Sequence, residues 1–164
     1  MIPTFYDTPA KVAALRAAAV SLVGTPFFAN SEAPGRDGGI DCVHALNWIH
    51  RTAGAIGPLQ IPRQAMDHGQ HSDRSLLIEA FETWPGLRSR FARLPDCLPA
   101  NLLPGDCLCF LAGHVPHHGG VLLDAGDMLH VLKRDGAHLM QLGAVVRGRR
   151  ILGYLAAAYR PLPL

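Results

Sequence analysis

The sequence predicts an α+β fold in which a helix packs on an antiparallel sheet. Three observations predict it. Helix signals crowd the first part of the chain, with a hydroxyl and a proline at Thr8-Pro9 and an apolar three-residue recurrence at Val43, Leu46 and Ile49. After Pro104, short apolar runs alternate with Gly and Asp, as in a meander of strands. The 164 residues are 49% hydrophobic and only 17% charged, which suits one folded unit over 1–164 with a sizeable core.

Thr8 supplies an N-cap and Pro9 the first helical position, so a helix is expected from there to about Val23, stopped by Gly24. Residues 25–40 carry Pro26, Pro34, Gly35, Gly38 and Gly39 and are expected as a loop. A second helix follows from about Asp41 to Ala53, with Ala45 and Trp48 beside its apolar stripe. Ile61-Pro62-Arg63 suggests a short extended piece, and short helices are expected at 63–68, 72–83 and around 87–91. Pro104-Gly105-Asp106 is a turn, and strands are expected at 107–112, 119–123, 128–132, 137–142 and 151–159.

Composition excludes several classes of function. A net charge of +2 without a Lys/Arg run does not predict a nucleic-acid surface. No uncharged apolar run approaches the ~18 residues of a membrane span. Lys11 and Arg16 interrupt the apolar stretch 9–23, so no secretory leader is expected. The expected location is the cytoplasm, with release by lysis or inside a particle as the other route. Cys42, Cys97, Cys107 and Cys109 are then expected as free thiols. Cys107 and Cys109 should share one strand face.

The chemistry concentrates on Cys42, His118 and His130. Asp41 as N-cap puts Cys42 in the first turn of a helix, where unpaired N–H groups and the helix dipole favour a thiolate. Gly38-Gly39 allows a tight turn and leaves room for a substrate chain. The Cys42 backbone N–H is free to donate to an oxyanion. The same position also suits a buried structural cysteine.

A thiol nucleophile needs a base and a group that orients the base. His118 stands at the mouth of an apolar strand and His130 inside the next one. Hairpin register decides whether they meet. A two-residue turn at Ala125-Gly126 pairs Val121 with His130 and separates the histidines. A three-residue loop, Asp124-Ala125-Gly126, pairs Gly120 with His130 and puts His118 diagonally across on the same face.

The other polar residues have plainer expectations. His114, His117 and His118 near Cys107 and Cys109 raise a zinc reading, but there is Cys-x-Cys without Cys-x₂-Cys, so no metal is expected. His44, His50, His68, His71 and His138 suggest surface or helix-face positions. Arg147, Arg149 and Arg150 suggest a solvated turn.

Five stretches in order resemble the NlpC-type cell-wall cysteine peptidases, a family with a compact papain-like fold. Gly24-Thr25-Pro26-Phe27 resembles Gly-x-Pro-Tyr, Gly39-Ile40-Asp41-Cys42 resembles Gly-Phe-Asp-Cys, and Ile61-Pro62-Arg63 resembles Leu-Pro-Arg. Gly105-Asp106 with the strand after it resembles Gly-Asp-Leu-Val-Phe-Phe. His118-Gly119-Gly120-Val121 resembles His-Val-Gly-Ile, and His130 follows twelve residues later, where the family has its third polar residue. The likeness spans about residues 10–135.

The resemblance implies Cys42 as nucleophile, His118 as base and acid, and His130 as the orienting residue. Phe27 and Asp41 become oxyanion or substrate-loop residues. The implied activity is cysteine endopeptidase action on a peptidoglycan stem peptide near a γ-D-glutamyl linkage, without a cofactor. Phe27 replaces the family's Tyr, Val43-His44 replaces Ser-Gly, and 29–37 lengthens the loop before the nucleophile. A short form with this loop resembles members found among phage-tail proteins. The same residues would also serve an acyltransferase or a non-wall amidase, and a non-enzymatic assembly protein would keep the fold alone.

Overall fold

The computed structural model describes residues 1–64 and 73–164. Helix α1 (Pro9–Val20) starts as expected, with the Thr8 hydroxyl accepting from Lys11 N at 3.3 Å. It stops three residues before Val23, and the chain turns to Gly24 at positive φ. The expected loop contains a two-residue hairpin, β1 (Glu32–Ala33) with β2 (Gly39–Ile40). Helix α2 (Cys42–Thr52) begins directly after β2.

Residues 61–64 carry no regular element, and the rest of the helix expected at 63–68 lies outside the described residues. So do His68 and His71 and the start of the helix expected at 72–83. That helix, α3, is described as Leu76–Thr83, with the Ser75 hydroxyl accepting from Ile78 N at 3.1 Å. The helix expected at 87–91 is α4 (Pro85–Arg88), a single turn. Phe91–Arg93 leaves it as strand β3, which the sequence does not signal.

The main sheet continues with β4 (Cys107–Ala112), β5 (Val115–Leu122), β6 (Asp127–Leu132) and β7 (Gly136–Gln141). A small hairpin, β8 (Val145–Val146) with β9 (Arg149–Arg150), follows. The expected strand at 151–159 opens as a 3₁₀ turn, Ile151–Tyr154, and β10 runs Leu155–Pro161. The sheet is antiparallel, in the order β3-β10-β4-β5-β6-β7. The chain is thus α+β, with the expected helix-on-sheet arrangement.

Both faces of β4 are buried. Cys107 and Cys109 join Leu15, Ile49, Leu77 and Phe81 in the core on the helix side. Leu108 and Phe110 join Met128, Ile151 and Ala158 on the opposite side. Two-sided burial explains why 107–111 is a continuous apolar run. Each fully buried Leu or Ile contributes roughly 1.5–3 kcal/mol, so these layers fix the height of α2 over the sheet.

Two buried polar links pin the ends. The Arg160 Nε and Nη2 groups donate to Asp106 at 2.9 and 2.8 Å, and Arg160 also holds the Ile2 and Asn101 carbonyls. His50 does not face solvent as the sequence suggests; it is 1% exposed. Its ring joins Tyr6 Oη at 2.9 Å to Cys107 Sγ at 3.1 Å, tying the N-terminal segment and α2 to β4.

Candidate active site

Cys42 is the first residue of α2, and Asp41 is its N-cap, with extended φ/ψ of −107° and 176°. Asp41 Oδ1 accepts from His44 N at 2.9 Å and contacts the His44 ring at 2.8 Å; Oδ2 accepts from Asn30 N at 2.7 Å. His44 is therefore engaged in the cap rather than free on the helix face. The segment before the helix is braced as well. Ile40 N donates to Pro26 O at 3.0 Å and Phe28 N to Ile40 O at 3.1 Å, so 26–28 runs alongside 39–40. Phe27 lines the open groove beside Cys42. Its side chain carries no polar atom, so that ring serves the groove as an apolar wall. The Asp41 carboxylate is occupied by its bonds to His44 and Asn30.

The β5–β6 hairpin takes the three-residue form. Gly120 pairs with His130 and Leu122 with Met128, leaving 124–126 as the loop, with Ala125 and Gly126 both at positive φ. His118 thereby shares a face with His130, and His118 Nε2 lies 3.0 Å from His130 Nδ1. Cys42 Sγ lies 3.9 Å from the His117 carbonyl oxygen, and the Gly119 amide is directed at the thiol. The thiol thus sits against the backbone on both sides of His118, and the His118 side chain lines the same groove.

His138 extends this row, against the expectation of a surface residue. It pairs directly with His130 across β6–β7, and the two Nε2 atoms are 2.9 Å apart. His138 Nδ1 is 3.0 Å from the Gly136 carbonyl oxygen. The signal is the same register arithmetic: Leu132 pairs with Gly136 around a three-residue turn, 133–135.

Burial dominates the electrostatics. It lowers His118 to about 4 and His130 to about 3, each further opposed by the neighbouring histidines. Both imidazoles are therefore neutral near pH 7. The Cys42 thiol is not lowered as its helix position predicts. Burial first, then the Asp41 charge, push it up to about 11, against the lowering pull of the Gly119 and Val43 amides. Burial also acts on Asp41, but bonds from His44 and Asn30 outweigh it and hold the carboxyl below its ordinary range. The Cys42 thiol and the His118 and His130 rings are thus all uncharged near pH 7.

A groove of about 690 Å³ opens over these residues. Phe27, Cys42, His118 and His130 line it, together with Tyr154, Lys133, Arg134 and Arg147. The zinc grouping does not assemble. Cys107 meets His50, His114 meets Asp73 at 3.0 Å, and His118 meets His130. Among the described residues no cluster of three His, Cys, Asp or Glu is arranged for a metal ion.

No protein-family model matches the sequence, and no curated protein does. Solved structures do match. A Staphylococcus aureus Mu50 protein, described as similar to lipoprotein of the NLP/P60 family, gives a TM-score of 0.59 at 16% identity over 96% of this chain and 43% of its own. The peptidoglycan hydrolase RipB of Mycobacterium tuberculosis gives 0.53 at 15% identity, over 94% and 65%. RipD of the same organism, a non-catalytic NlpC/p60 domain protein adapted to peptidoglycan binding, gives 0.51 at 15% identity, over 92% and 95%. This chain spans less than half the length of the first. Its fold is that of the NlpC/P60 proteins.

Proposed function

We propose that this protein is a cysteine peptidase that cleaves an amide bond through a thioester. Its substrate is a peptidoglycan stem peptide, cut near a γ-D-glutamyl linkage. Fold alone does not carry this, since RipD has the fold and is non-catalytic. The observation that carries it is the set of three: a thiol at a helix start lying against the backbone that flanks His118, the His118 ring lining the same groove, and a second histidine on His118 Nε2.

In the proposed reaction His118 Nδ1 takes the thiol proton as Sγ attacks the carbonyl carbon. The Cys42 N–H at the open helix start donates to the oxyanion. His118 returns the proton to the leaving amine, and the thioester remains. Water, deprotonated by His118, then releases the acid and restores the thiol. His130 holds His118 in the required orientation throughout. Lys133, Arg134 and Arg147 in the groove wall favour a peptide with free carboxylates, as stem peptides have.

Digestion of purified peptidoglycan and of a short γ-D-glutamyl stem peptide, by wild type and by Cys42→Ala, tests this with products read by mass. Cleavage by wild type alone supports the reading. A Cys42 acyl adduct passed to an amine instead of water would replace peptidase by acyltransferase. No cleavage with an unreactive Cys42 would leave a non-enzymatic protein on a peptidase fold.

A further inference from the structure

The row of histidines has a direction, and the direction comes from outside the proposed catalytic set. A carbonyl oxygen only accepts, so the His138 Nδ1 that lies 3.0 Å from Gly136 O carries hydrogen. In a neutral ring that leaves His138 Nε2 as an acceptor. It lies 2.9 Å from His130 Nε2, which must then carry hydrogen. His130 Nδ1 is left as the acceptor, 3.0 Å from His118 Nε2, and that nitrogen in turn carries hydrogen. The one ring nitrogen left bare in this sequence of bonds is His118 Nδ1, the atom a base needs.

We propose that His138 is a positioning residue, anchored on the Gly136 carbonyl, that sets the tautomers of His130 and His118 and so keeps His118 Nδ1 free to accept a proton. The proposal rests on the reading of Cys42 and His118 as nucleophile and base. Were His130 to adopt the other tautomer, its Nδ1–H would face His118 Nε2. His118 would then carry its hydrogen on Nδ1 and could not act as base. Burial holds both inner rings neutral, so each has one hydrogen to place and the choice is real.

The anchor is itself fixed. Gly136 has φ +69°, and a Cβ there would come within 2.4 Å of Thr25 O. Ala137 N donates to Thr25 O at 2.8 Å, and Gly24 N donates to Ala137 O at 2.9 Å. The Gly24–Pro26 segment that clasps β7 in this way continues into residues 26–28, which brace the approach to Cys42. One stretch of backbone therefore holds both the start of the histidine row and the nucleophile loop.

The test is ¹⁵N-edited NMR of the histidine ring nitrogens in the resting protein at pH 7. Wild type should show Nε2–H for His118 and His130 and Nδ1–H for His138. His138→Phe, which removes the acceptor, should give a mixture at His130. His138→Gln, whose Oε1 can accept from His130 Nε2, should restore the wild-type pattern. With a cleaved peptide in hand, His138→Phe should lower kcat on the order of tenfold with KM unchanged, the loss expected for one hydrogen bond. His138→Gln should stay within about threefold on the same reasoning.

Nδ1–H on His130 in wild type, or tautomers indifferent to residue 138, would overturn the proposal. Should the Phe variant fail to fold, His138→Leu removes the same acceptor with less bulk and should give the same mixture at His130. The spectra need no substrate. The assigned pattern in a protein that cleaves nothing would support the tautomer assignment and count against the peptidase reading alone.

Discussion

Asp41 caps the helix whose first residue is Cys42, and the same carboxylate raises the pKa of the thiol beside it. The cap is a local gain in helix stability and the charge is a local cost in thiol acidity. Asn is as good an N-cap as Asp but carries no charge. Asp41→Asn should therefore keep α2 and bring the Cys42 thiol down from about 11. At pH 8 its alkylation by iodoacetamide should rise roughly threefold to tenfold. Cys107 and Cys109, both fully buried, serve as unreactive controls in the same digest. An unmoved alkylation profile would assign the whole shift to burial.

The proposed roles predict a graded series. Cys42→Ala should remove turnover, by at least about a thousandfold, and leave the fold intact, since alanine suits a first-turn position. His118→Ala should be nearly as severe. His130→Ala should be milder, because it removes orientation and not the proton acceptor. Steady-state kinetics on the stem peptide checks the order. Full activity in His130→Ala would reject the role given to the 3.0 Å contact with His118.

What the sequence revealed of this site was local. Thr8 and Asp41 announce their helices because a cap needs only the next three residues. The contact of His118 with His130 was legible up to one bit, the parity of the loop between them. Gly126 favours the odd loop, and the structure has it. His138 follows from the same parity one hairpin later, but Lys133-Arg134-Asp135 holds no glycine to announce the turn, and the left-handed glycine comes just after it. His50 was illegible for a different reason. Its partners Tyr6 and Cys107 lie 44 and 57 residues away, so no window around it signals burial. The thiol's acidity is illegible locally as well, because the helix dipole is a local property and desolvation is not.

Three histidines held neutral by burial predict a loss of stability in acid. His50 and His130 fall to about 3 and His118 to about 4, from 6.5. The unfolded chain takes up these protons near 6.5, while the folded chain resists until pH 3–4. Stability is therefore complete above about pH 6.5 and drains as pH falls toward 3. Each histidine contributes about 1.4 kcal/mol per pH unit inside that window. Urea midpoints should drop from pH 7 to pH 5. His50→Phe should lower stability at pH 7 through the loss of Tyr6 and Cys107 as partners, yet flatten the pH slope. A slope unchanged in His50→Phe would show that His50 takes its proton in the folded state as readily as in the unfolded one.

The cationic residues of the groove wall predict how a substrate is held. Lys133 and Arg134 lie exposed in the β6–β7 turn, and Arg147 sits at φ 51° in the β8–β9 turn. All three line the groove, and none has an ion pair among the described residues. The solvated turn expected around Arg147 thus borders the site rather than standing apart from it. Exposed cations act on a ligand through long-range attraction that salt screens over about 8–10 Å. Arg147→Ala should raise KM for a stem peptide with free carboxylates by roughly threefold, and leave kcat unchanged, as for a weak exposed pair. The same rise should come from adding salt to wild type, and the variant should respond less to salt. An amidated stem peptide, stripped of those charges, should bind both proteins alike. If Arg147→Ala instead lowers kcat with KM unchanged, the guanidinium is holding the β8–β9 wall in shape rather than attracting the substrate.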